Sequence, residues 1–197
     1  MPVLWQLFRD TFLNPRAVAG TLMGLGLGRG VLWTAAGLAS VLSALFFGLL
    51  TETIAPLPDA WTEIGFDPSP MAYALLTFAG IVISVFAIQL TGQMLDGKGA
   101  FEEALVLIVW LQLAMFVLRL AQLLILLAIP ALGGLVTLAT AGASLWAILN
   151  FTAALHRFDG LSKAAFVLVI AFMGIIFGLA FIMMLIGVGT VGVTGNV

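Results

Sequence analysis

An all-α integral membrane protein, with five transmembrane helices preceded by an N-terminal amphipathic interfacial helix, is the fold that this sequence predicts. Three observations point to it. Of 197 residues, 63% are hydrophobic and 8% charged, with a mean hydropathy of +1.25, far from the composition of a soluble globular domain. Several apolar stretches reach the roughly 20 residues that a helix needs to cross about 30 Å of hydrocarbon, and they are too continuous for the alternating strands of a barrel. Lys and Arg, finally, fall in alternate connections, as the preference of positive charge for the cytoplasmic side requires.

Composition also narrows the chemistry. The chain has no cysteine, so disulfides, thiolate metal sites and cysteine nucleophiles are excluded. A net charge of -2 offers no electrostatic support for a nucleic-acid partner. Arg9, Asp10 and Arg16 interrupt the N-terminal apolar residues, so a cleavable signal peptide is not expected.

Residues 1–29 read as an amphipathic, interfacial entry segment. Leu4, Trp5, Phe8 and Phe12 share one helical face opposite Gln6, Arg9 and Asp10, which suits the headgroup plane. Asn14-Pro15 reads as an N-cap followed by proline at the first helical position, restarting a short helix to about Met23. Gly24, Gly26, Gly28 and Gly30 loosen the chain ahead of the first span and do not match a dinucleotide-binding glycine pattern.

The five-helix domain is expected over residues 30–190, with spans at about 31–50, 71–91, 102–129, 132–155 and 164–186, and residues 191–197 form an external tail. The connection before Pro70 is rich in proline and acid but holds no Lys or Arg. Asp96-Gly97 marks a turn. The third span, at about 28 residues, would be roughly 42 Å long, so it must tilt, kink or project. Pro130 ends it. The fourth span carries small residues such as Gly142, which allow close helix approach. His156 to Gly160 makes the next turn, with Gly160 suited to closing one helix and Ser162 to capping the next.

Arg9, Arg16 and Arg29 precede the first span, Lys98 lies between the second and third, and Arg157 and Lys163 lie between the fourth and fifth. By the positive-inside rule the N-terminus is cytoplasmic and the C-terminus external. The basic residue outside this pattern is Arg119.

In these features the chain resembles the Yip1 family, in particular its small bacterial members. The resemblance covers residues 14–188 and rests on the five-span layout with Asn14-Pro15-Arg16, Gly97-Lys98-Gly99-Ala100-Phe101-Glu102-Glu103-Ala104, Trp146-Ala147 and Ser162-Lys163-Ala164. It implies a helical protein of the bacterial cytoplasmic (inner) membrane without known catalysis. Eukaryotic relatives take part in vesicle trafficking and bind small GTPases or each other. This chain lacks their long cytosolic N-terminal region, so GTPase binding is not expected.

Arg119 is the sharpest candidate for a site. Gln112, Arg119 and Gln122 are spaced by seven and three, so they share one face of the third span. Charge at that depth normally faces protein or water. Two roles stay open: a structural arginine, bonded internally to Glu52 or to carbonyls near Pro130 or reaching the interface, and a contact for a partner or a lipid phosphate. Glu102 and Glu103 start a helix, where negative charge complements the macrodipole. A lone His156 does not make a metal site. Asp59, Glu63 and Asp67 read as an acidic rim, with Trp61 and Phe66 at the headgroups. Gly174 and Gly178 form a G-x-x-x-G in the fifth span and, with Gly142, are candidate helix-packing positions.

The functional expectation is a non-catalytic scaffold, assembly or accessory factor that works through helix packing and lipid contact within a larger membrane complex. Membrane lipids, other membrane proteins or a second copy are its expected partners, and no cofactor is expected. The alternative is a small oligomeric transporter or channel, for which Gln112, Arg119 and Gln122 supply few polar groups.

Overall fold

The structure, a computed structural model, describes residues 2–53 and 69–185. The apolar runs fold as helices because a backbone away from water must satisfy its own hydrogen bonds. In chain order these are α1 (Pro2–Leu13), α2 (Pro15–Gly24), α3 (Arg29–Thr53), α4 (Pro70–Met94), α5 (Phe101–Ala128), α6 (Gly133–His156) and α7 (Leu161–Leu185), with a 3-10 turn at Pro130–Leu132 joining α5 to α6. Five of them, α3 to α7, are long and apolar enough to cross a membrane. Residues 59, 61, 63, 66 and 67 of the acidic connection and the 191–197 tail lie outside the described residues, as does the side chain of Glu52.

α4, α5, α6 and α7 pack in sequence around a ring that closes between α4 and α7. α3 lies against α4 and α5, and α2 against α5 and α6. Among the five long helices α5 is the most buried, consistent with its contacts to α2, α3, α4 and α6. The entry segment is part of this core. Val18, Ala19 and Leu22 of α2 are buried in the same cluster as Ala104 to Leu107 of α5 and Phe151 of α6. Thr11 of α1 is fully buried and accepts a hydrogen bond from the Trp110 indole (2.9 Å) while donating to the Leu7 carbonyl (2.7 Å).

Burial is uneven along the helices. The core concentrates toward the end that carries the α4–α5 and α6–α7 turns, here called the polar end: Ile81 to Ile88, Ala104 to Val109, Phe151 to Leu155 and Ala164 to Ala171 supply it. Phe101 joins this end to α3 and α4, its ring lying 6.2 Å from that of Trp33 and 4.9 Å from that of Phe86. Away from it the helices expose large side chains, such as Leu124, Leu138 and Phe177, as lipid-facing surface requires.

Three local expectations are corrected. Asn14 precedes Pro15 at the start of α2, but its side chain makes no capping hydrogen bond. α7 begins at Leu161, so Ser162 lies inside its first turn. The end of α6 is closed by Arg157 in the left-handed region (φ 58°, ψ 38°), and Gly160 comes after the turn. There the Phe158 amide donates to the Ala153 carbonyl and the Arg157 amide to that of Ala154, the paired bonds of a Schellman cap. α4 ends in the same way: the Gly97 amide reaches the Gly92 carbonyl, the Asp96 amide reaches that of Gln93, and Asp96 is left-handed (φ 64°).

Candidate functional site

The polar end is assembled around His156. This last residue of α6 is 1% exposed. The Gly99 amide donates to its Nδ1 (3.4 Å), and Nε2 lies 3.1 Å from the Ile88 carbonyl of α4. An amide can only donate and a carbonyl only accept, so the ring is the neutral tautomer with its proton on Nε2. The Lys98 amide donates to the His156 carbonyl (3.4 Å), and the Phe158 ring stacks on the imidazole at 5.4 Å. Three glycines make room. An added methyl at Gly92 or Gly97 would overlap the imidazole, and at Gly99 it would also meet Leu155.

Around this buried ring lies a charged shell. Arg157 donates through Nη2 to Glu103 Oε1 (2.8 Å) and through Nη1 to Glu103 Oε2 (3.3 Å) and the Lys98 carbonyl (2.9 Å). This two-pronged contact is the geometry guanidinium favours with a carboxylate, and it raises the pKa of Arg157 further above its usual value. Glu103 also accepts from the Ala100 amide (3.0 Å), closing the first turn of α5. Glu102 takes the Arg29 guanidinium from the start of α3, with Nε 2.7 Å away. Both carboxylates thus serve the helix start, as their position suggested, and each also ties a second element to α5. Gln93 completes the set by donating to the Gly99 carbonyl (3.1 Å).

The residues selected from sequence are placed differently. Gln122 donates to the Thr137 hydroxyl of α6 (2.8 Å). Met115, one turn before Arg119, accepts from Ser144 of α6 through its sulfur (2.8 Å). Gln112 is half-buried, whereas Arg119 is exposed and makes no hydrogen bond or ion pair with a described residue. Gly142, Gly174 and Gly178 are also exposed, and no described residue lies within 4 Å of a Cβ added at any of them. Among the described residues no group of three His, Asp or Glu side chains could hold a metal ion.

Five apolar spans, the entry helices packed on them and the closed turns at the polar end form one continuous unit, and the family model of the Yip1 domain matches residues 9–182 of it. The chain belongs to the Yip1 domain family. No curated protein and no solved structure matches it. The matched region of this Yip1-family protein contains α2 to α6, most of α7 and every residue of the His156 cluster.

From sequence alone His156 is a lone helix-end histidine and Arg119 the sharper candidate. A signal for the buried histidine was nonetheless present: Gly92, Gly97 and Gly99 crowd one short turn, a composition that marks close approach of another group to the backbone. Nothing local named that group.

Proposed function

We propose that this Yip1-family protein acts without catalysis, as a scaffold, assembly or accessory factor that works through lateral helix packing and lipid contact in a bacterial inner membrane, with the polar end in the cytoplasm. The observation that supports the reading is the division of labour among its polar groups. His156, Glu103 and Arg157 are engaged in holding helix ends together, while Arg119 stands exposed on α5 without a partner among the described residues. Arg119 lies about 27 Å along α5 from Phe101 at 1.5 Å per residue. A charge held within the hydrocarbon costs about 2.5–3.5 kcal/mol on insertion scales, and a carboxylate or phosphate from a neighbour offsets that cost. Gln112, half-buried two turns earlier on the same side of α5, extends the same contact, while Gln122 is engaged with Thr137 of α6.

Arg119→Ala tests this directly. The variant is expected to unfold within about 0.5 kcal/mol of the parent, as a surface change does, while losing the membrane proteins that accompany the parent through gentle purification. Altered solute flux in reconstituted vesicles with association intact would overturn the reading in favour of a small oligomeric channel or transporter.

A further inference from the structure

Along the ring contact between α4 and α7 runs an open apolar groove of about 440 Å³, with Phe86, Leu90, Gly174 and Gly178 among its walls. The two glycines leave a notch that no described residue fills. Toward the polar end the same two helices continue into a second hollow of about 460 Å³, where Met94 and Phe166 give way to Asp96, Ser162 and Lys163. That hollow shares Asp96, Ser162 and Lys163 with a third, of about 260 Å³, which adds Lys98 and Asp159. An apolar groove and, about one turn further on, a polar hollow therefore lie in succession along one helix pair.

The charges in that chamber are balanced and uncommitted. Asp96, Lys98, Asp159 and Lys163 are exposed and form no ion pair with a described residue, while Arg157, which also borders the chamber, is taken by Glu103. Lys163 holds its ammonium 5.8 Å from the Phe158 ring centroid, above the aromatic face. From Lys163 to Gly178 along α7 is about 22 Å at 1.5 Å per residue. One leaflet with its headgroups is roughly 20–22 Å thick, half of the about 40–45 Å bilayer.

We infer that the α4–α7 groove and its polar mouth form a binding site for one glycerophospholipid with a phosphoethanolamine headgroup. An acyl chain lies in the notch over Gly174 and Gly178. The phosphate meets Lys98, Lys163 and the Ser162 hydroxyl, and the primary ammonium donates to Asp96 and Asp159. Charge complementarity selects this occupant. A purely anionic headgroup would leave the charge-balanced mouth with one negative charge in excess, its phosphate taking both lysines and the two carboxylates left without a cation, and a choline headgroup has no N–H to donate to them. The site stands apart from the Arg119 face, so loss of accompanying proteins in Arg119→Ala and loss of lipid here are separate results.

Native mass spectrometry of the delipidated full chain, mixed in detergent with phosphatidylethanolamine, phosphatidylglycerol or phosphatidylcholine of matched acyl chains, tests the inference. Phosphatidylethanolamine is expected to be retained as a one-to-one adduct at least tenfold more than the other two. Asp96→Asn with Asp159→Asn should remove that preference and leave some retention. Gly174→Leu, which enters open space, should abolish retention of all three lipids with the melting temperature unchanged. Equal retention of the three lipids, preference for phosphatidylglycerol, or unchanged retention in Gly174→Leu would overturn the inference. So would a parent dimer that Gly174→Leu dissociates, because the groove would then hold a second copy.

Discussion

Single residues at the polar end carry unusually specific demands. His156 must be present and neutral, since its ring both accepts from Gly99 and donates to Ile88. His156→Ala removes a buried side chain and strands an amide and a carbonyl, which together should cost about 3–5 kcal/mol, read as a lowered thermal midpoint in detergent. Gly97→Ala should be comparably damaging, because a methyl there collides with the imidazole and with the Gly92 carbonyl, neither of which has room to withdraw. The Glu103–Arg157 pair is more forgiving. Its side chains are 23% and 48% exposed, so solvent screens the attraction. A double-mutant cycle of Glu103→Gln and Arg157→Gln should return a coupling of about 0.5–1 kcal/mol that shrinks as salt is added. Histidine in this sequence reads as an ordinary helix-end cation. Its burial comes from the α4–α5 turn folding over it, and that turn is remote in the chain.

At the scale of elements, α5 is central because it contacts α2, α3, α4 and α6. Its two halves differ. The half near the polar end is packed through Ala104, Leu105 and Leu107, each at most 2% exposed, and the other half meets α6 through Met115 and Gln122 while exposing Arg119. Gln122→Leu removes an interhelical hydrogen bond in an apolar setting, where such bonds average only about 0.6 kcal/mol. Equilibrium unfolding should therefore register a loss below about 1 kcal/mol. The periodic spacing of Gln112, Arg119 and Gln122 sets them along one side of α5, but only packing shows that Gln122 turns to α6 and Arg119 does not. The entry segment makes the same point. Its amphipathic pattern was visible in sequence, and its partner surface on α5 and α6 was not. Trp110→Phe, which leaves the buried Thr11 hydroxyl without its indole donor, should weaken the fold by about 1 kcal/mol.

For the whole molecule, the placement of Lys and Arg in alternate connections makes a topological prediction that the absence of native cysteine renders simple to test. Single cysteines introduced at Lys98 and Asp159, both exposed at the polar end, should react with a membrane-impermeant maleimide from one side of sealed vesicles. A cysteine at Ser69, which is exposed just before α4, should react from the other. Labelling of all three from one side would contradict a single passage of α4 across the bilayer.

The class of fold, the five spans and the place of the polar turns are legible in the residue order alone. These rest on local quantities: apolar length against bilayer thickness, the helix-ending effect of Pro130, and the distribution of Lys and Arg. Tertiary structure decided what the turns do. The bonds from His156 to Gly99 and Ile88 join residues 57 and 68 positions apart, and the clasp of Arg157 on Glu103 spans 54. No periodicity within a helix encodes a contact between helix ends so distant in the chain. The buried histidine and its glycine enclosure, like the charge-balanced mouth of the α4–α7 groove, arise only when the four ring helices converge at one end.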